Sequence, residues 1–152
     1  MLYCKQQNSP FYLFGGFIMA NCAKQFQQYL DKKDYNYTVL ANDSERVVID
    51  FPYKGKSTKC FFTGKDYEYL SIYTIYESIP SEKRNDLILV CNDLNNRFKW
   101  VTFYVDNDND LILHVDALLS LRTADEEAME MLVRTLDIGE TAKPTIMKAI
   151  YA

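Results

Sequence analysis

Histidine is almost missing from this chain of 152 residues, where His114 stands alone. That removes most Ser-His-Asp, Cys-His and histidine-metal schemes at once. Cysteine is scarce and scattered: Cys4, Cys22, Cys60 and Cys91 show no CxxC pair and no metal-ligand spacing. Cys60 and Cys91 fall within apolar runs, where a free thiol packs as a small hydrophobe, so buried reduced thiols in a cytoplasmic protein are the expectation. Positive charge is short as well. Lys and Arg number 17 against 21 Asp and Glu, a net charge of -4. This works against the clustered basic face that a phosphate backbone requires, and nucleic acid is not expected as a partner. No GxGxxG or GxxxxGK(S/T) loop occurs, and Lys54-Gly55-Lys56 has the composition of a turn. No metal or other cofactor is expected.

Long apolar runs are lacking too. The stretch from Phe11 to Ala23 is too short to span a bilayer, though it has the length of a signal-peptide core. A cleaved signal calls for a more basic start than the lone Lys5, and a lipoprotein site calls for a small residue where Asn21 precedes Cys22. Residues 1 to 18 are therefore read as an extension, flexible or over-annotated, ahead of one domain over residues 19 to 152. No membrane association is expected.

What is present is a globular composition, 48% hydrophobic and 25% charged. A chain of this length buries roughly two-thirds of its unfolded surface without disulfide or metal staples. Aromatic residues are abundant, with 12 Tyr and 9 Phe. Tyr favours strands and half-wet surfaces, which predicts a large sheet with one face neither fully buried nor fully polar.

Cys22, Phe26, Tyr29 and Leu30 recur at helical spacing between Asn21, a suitable N-cap, and Lys33. Strands are predicted over 37–41, 46–52, 57–63 and 67–77, separated by short turn sequences that imply an antiparallel meander. Pro80 suits the start of a second helix, with Leu87, Val90, Cys91 and Leu94 as its apolar stripe. Phe98 to Ala117 reads as a hairpin. Placing Val105 opposite Leu111 puts Phe103 opposite Leu113 and Val101 opposite Val115, so that all six share the core face. The other face then pairs Tyr104 with Ile112, Thr102 with His114 and Trp100 with Asp116. Thr123 and Glu126 resemble a capping box for a third helix, which Gly139 is expected to end, and Pro144 to open a fourth. The fold class is therefore α+β, a mainly antiparallel sheet with helices on one face, in the order α-βββ(β)-α-ββ-α-α.

The run Val90-Cys91-Asn92-Asp93-Leu94-Asn95-Asn96-Arg97-Phe98-Lys99-Trp100-Val101-Thr102-Phe103-Tyr104-Val105-Asp106 resembles the YbjN family. So does the closing stretch from Ala142 to Tyr151, and the resemblance covers roughly Asn21 to Tyr151. Members of that family look like bacterial sensory transduction regulators with the fold of type III secretion chaperones. The resemblance implies an α+β sheet covered by helices, no known catalytic residue, self-association and partner binding.

The remaining constellations have plain structural readings. Asp106-Asn107-Asp108-Asn109-Asp110 imitates the start of an EF-hand loop, but Leu111 stands at the Gly position and Ala117 at the bidentate Glu position, so a solvated hairpin loop is expected. Asp125, Glu126, Glu127 and Glu130 suit the positive end of a helix dipole. Met129, Met131 and Met147 read as core filling, with an adaptable binding groove as the sharper alternative. The sequence thus points to a non-catalytic protein-binding module, an adaptor or a chaperone-like regulator acting as a homodimer on a protein partner or an extended peptide segment. Trp100, Tyr104, Ile112 and His114 are its candidate interface. A small enzyme with a pocket around His114 is the competing expectation.

Overall fold

The computed structural model describes residues 21–152, together with the backbone of two short antiparallel strands before them, β1 (Leu13–Phe14) and β2 (Phe17–Ile18). The expected extension over residues 1 to 18 otherwise lies outside the described residues. Helix α1 (Cys22–Lys32) begins at Asn21, whose side-chain oxygen accepts the Lys24 N–H at 2.8 Å. This is the cap that the sequence predicts.

Four strands follow, β3 (Thr38–Asn42), β4 (Arg46–Tyr53), β5 (Lys56–Thr63) and β6 (Tyr69–Ser78), each antiparallel to the next. Their turns use local chemistry. Asp43 accepts the N–H groups of Glu45 and Arg46, both at 2.9 Å, and the β4–β5 turn places Lys54 and Gly55 at φ 48° and 75°, as a tight two-residue hairpin requires. A 3-10 turn (Ser81–Lys83) leads into α2 (Arg84–Arg97), followed by β7 (Thr102–Val105), β8 (Asp110–Leu118) and α3 (Ala124–Tyr151). The sheet runs β3-β4-β5-β6-β8-β7, so β8 inserts between β6 and β7.

Strand alternation divides this sheet into two unlike faces. Val47, Ile49, Phe51, Cys60, Phe62, Leu70, Ile72 and Val115 face α1 and the first half of α3. Tyr76, Phe103, Leu111 and Leu113 share that face and pack with α2 and the second half of α3. The three α-helices among the described residues thus lie on one side. The predicted register holds in four rungs, Val105 to Leu111, Tyr104 to Ile112, Phe103 to Leu113 and Thr102 to His114. It fails in the next two: Trp100 turns out of the strand at φ 77°, and neither Val101 nor Trp100 pairs with β8.

The expected break at Gly139 is corrected. Helix α3 runs without interruption for 28 residues, with Pro144 inside it. Its buried residues, Ala124, Ala128, Leu132, Thr135, Gly139, Ala142, Ile146 and Ile150, form one stripe at helical spacing. Gly139 is there for space: a Cβ would meet Leu113 Cδ2 at 3.1 Å and Tyr76 Cε2 at 3.3 Å. The Tyr76 hydroxyl donates to the Gly139 carbonyl at 2.9 Å. Pro144 stands on the exposed side of the helix, and its missing N–H leaves the Glu140 carbonyl without its helical donor. The capping box is corrected too. Glu127, rather than Glu126, reaches back, accepting the Thr123 hydroxyl at 2.7 Å and the Ser120 N–H at 2.7 Å.

One side chain closes the outer edge of β7. Asn95, near the end of α2, accepts the Phe103 N–H at 2.7 Å and donates to the Phe103 carbonyl at 2.9 Å. The amide replaces a neighbouring strand at that residue and leaves less free edge for aggregation. Asn95→Ala strips both groups of their partner and is expected to lower stability by about 1–3 kcal/mol. Phe103→Ala, a core deletion, should cost about 3–5 kcal/mol. Urea unfolding of both variants checks this, and an Asn95→Ala chain as stable as the parent would contradict the assignment.

Candidate protein-binding surface

The side of the sheet away from the helices carries apolar and aromatic residues at its centre. Phe61, Tyr73 and His114 form a row across β5, β6 and β8: Phe61 meets Tyr73 edge-on at 5.7 Å, and Tyr73 stacks on His114 at 4.2 Å with 6° between the rings. Cross-strand register adds two further groups, Tyr69 beside Leu118, and Ile75 beside Ile112 beside Tyr104. Tyr69, Ile75 and Leu118 are each more than half exposed, at 55%, 53% and 69%. A patch of this kind, uncovered and rimmed by polar residues, marks an interaction surface more often than a bare monomer surface.

The four predicted interface residues divide. Tyr104 and His114 lie on this open face. Ile112 shares it but is only 6% exposed, so it supports the surface from beneath rather than offering an anchor. Trp100, 58% exposed, lies off the strand over the Arg134 guanidinium of α3, with 5.2 Å from the cation to the ring centroid. It belongs to the sheet's edge and does not stand in the row with Tyr104. Sequence reasoning missed Phe61, Tyr69, Tyr73, Ile75 and Leu118. The odd-numbered alternation of Tyr69, Ser71, Tyr73 and Ile75 carried the signal, but it required knowing that β6 pairs with β8 across an intervening helix and strand.

His114 has structural partners. Its Nε2 lies 3.0 Å from Asp116 Oδ1, which also accepts the Ser71 hydroxyl at 2.5 Å. Burial works against ionising Asp116, but the bonds from Ser71 and His114 outweigh it and hold the carboxyl below its usual range. The space between β5, β6 and α3, lined by Thr58, Thr74, Thr135 and Tyr76, measures about 20 Å³ and lies on the opposite side of the sheet. That is room for one water molecule.

The Asp106–Asp110 loop turns its carboxylate on its own backbone. Asp106 Oδ1 accepts the N–H groups of Asp108 and Asp110 at 2.9 Å each, Asn109 takes a left-handed φ of 62°, and Arg84 donates to the Asp106 carbonyl at 2.6 Å. Among the described residues no group of three or more His, Cys, Asp or Glu side chains could hold a metal ion. No helix there is long and apolar enough to cross a membrane. Met129, Met131 and Met147 border the two core halves.

A sequence model of the YbjN family, described as "Putative bacterial sensory transduction regulator", matches residues 23–147. The chain belongs to the YbjN family. The crystal structure of YbjN from E. coli, described as a putative transcription regulator, superimposes with a TM-score of 0.57 at 10% identity, covering 81% of this chain and 92% of that one. A chain of the heterodimeric ExoU-SpcU complex from the type III secretion system of Pseudomonas aeruginosa gives a TM-score of 0.41 at 13% identity, covering 82% and 96%. No curated protein matches the sequence. The YbjN match accounts for the expected α+β antiparallel architecture, and within it the family-like Leu94-Asn95 pair supplies one core residue and the amide that closes β7.

Cysteine chemistry is suppressed throughout the described part of this YbjN-family chain. Cys22, Cys60 and Cys91 are free and buried, and burial pushes their thiols up to about 11, 12 and 11, with nearby carboxylates reinforcing the effect at Cys22 and Cys60. A thiol reacts as its thiolate. At pH 8 iodoacetamide is therefore expected to leave these three unmodified in the native chain and to alkylate them on unfolding, as read by mass spectrometry of the separate peptides. Rapid native labelling of Cys60 or Cys91 would show that they are not core residues.

Proposed function

We propose that this chain is a non-catalytic protein-binding module, an adaptor or chaperone-like regulator, that engages its partner through the open face of the sheet. The observation that carries this reading is the one-sided placement of the helices, which leaves Tyr69, Ile75, Tyr104 and Leu118 without a helix over them among the described residues. Aromatic and aliphatic side chains fixed on a sheet lose little conformational freedom on binding, and aromatic residues often dominate interface energy. Homodimerisation through the same face is part of the proposal, as is a cytoplasmic location, to which the free thiols of Cys22, Cys60 and Cys91 are suited.

The competing enzyme around His114 has little support. Its imidazole is stacked on Tyr73 and paired with Asp116, contacts that hold it as part of the sheet surface, and it is the only histidine in the sequence.

The test places a charge in the patch. Ile75→Asp and Tyr104→Ala together are expected to shift the melting temperature by no more than a few degrees, because both residues point away from the core. They should reduce self-association, or recovery of co-purifying protein from the native cell, at least tenfold. Undiminished assembly and capture by the folded double variant would remove the open face as the binding surface.

A further inference from the structure

Strand β8 is longer than the strand that borders it. Strand β7 pairs with β8 only from Leu111 to His114, whereas β8 continues to Leu118. The hydrogen-bond phase shows what the overhang presents. The Leu119 N–H donates to the Glu68 carbonyl at 2.8 Å, and on the other side the Asp106 N–H donates to the Asp110 carbonyl at 2.9 Å. In an antiparallel ladder these directions alternate. Val115 and Ala117 therefore turn their backbone groups toward β6, while Asp116 and Leu118 turn theirs outward, past the point where β7 begins. The chain that could have met them departs at Trp100, with its positive φ, toward α2.

The overhang opens on a groove of about 570 Å³ between the sheet edge and the first turns of α3. Trp100, Leu118 and Met131 supply its apolar walls. Glu126, Glu127 and Glu130 line the helix side and Asp116 the strand side, with no Lys or Arg among the lining residues. The helix dipole accounts for the first-turn acids Glu126 and Glu127; Glu130, expected from the sequence to serve that dipole too, lies beyond the first turn, where the effect has fallen off, and Asp116 is on the strand. Glu127 is committed to Ser120 and Thr123, and Glu130 pairs with Arg134 at 2.6 Å. Glu126 has no such bond among the described residues, and Arg134, over Trp100 and paired with Glu130, offsets one of the four carboxylates that line the groove, which leaves an excess of acidic groups there.

We propose that the free end of β8 takes an extended, basic segment of a partner protein as an added strand, lodged between Trp100 and the acidic side of α3. The inference rests on the protein-binding reading above and names the partner's chemistry. Backbone bonds to Asp116 and Leu118 set the register. Alternate side chains of the guest point to opposite sides, so Lys or Arg at every second position meets Glu126 and Glu130 while the intervening apolar residues lie beside Leu118.

Trp100 is the only tryptophan in the chain, which makes its fluorescence a direct reporter. The probe is an acetylated eight-residue peptide alternating Lys and Val, titrated into the full chain. The expected result is a saturable change in Trp100 emission that weakens at least tenfold with Glu126→Lys plus Glu130→Gln. N-methylation of alternate peptide amides should abolish binding in one phase and preserve it in the other. Equal binding of a Glu-Val peptide, or of both methylated phases, overturns the proposal. An emission change that depends on protein concentration without peptide assigns the groove to a second copy and overturns it as well. Absence of peptide binding, in a chain whose capture is still lost with the Ile75→Asp, Tyr104→Ala pair, defeats this inference and leaves the open-face reading standing.

Discussion

The close approach of α3 to the sheet at Gly139 is the contact on which the rest depends. The core has two halves, one built with α1 and one with α2, and α3 is the element that lines both. At its middle the helix meets Tyr76 and Leu113 with no side chain between, and the Tyr76 hydroxyl fastens the Gly139 carbonyl. Moving the helix outward to admit a Cβ would loosen the packing of both halves at once, and close-packed interiors tolerate such shifts poorly.

A helix that spends its whole length on one face cannot cover the other. With α1 and α2 on that same side, the far face of a six-stranded sheet meets no helix among the described residues, and its residues are correspondingly mixed. Phe61, Tyr73 and His114 pack on one another, Ile112 is buried among its neighbours, and Ile75, Tyr69 and Leu118 remain exposed. The two ends of the outer strands differ in the same way. At β7 the Asn95 amide occupies the edge; at the end of β8 nothing among the described residues does, and the acidic side of α3 stands opposite.

Local patterns made much of this legible. The Asn21 cap, the α2 stripe and four rungs of the β7–β8 ladder follow from period and turn chemistry, because a one-residue slip would turn every apolar side chain to the wrong face. Gly139 and Pro144 misled for a reason: both weaken an isolated helix, yet the buried stripe from Ala124 to Ile150 continues through them without a change of phase. Tertiary packing outweighed propensity there. Trp100 was placed by extending strand alternation two residues past its true start, and no local signal marked the bend. The pairing of β6 with β8 joins residues some forty positions apart, so the neighbours that complete the open face could not be read from any short window.

The central claim, that the uncovered side of the sheet is where this YbjN-family chain meets protein, is tested most directly by methyl NMR of the full chain as its co-purifying partner is added. The account predicts shifts at Ile75, Ile112 and Leu118, with Leu87, Leu132 and Ile146 on the helix-covered side unmoved. Shifts confined to Ile88 and Leu89, the exposed apolar residues of α2, would contradict it.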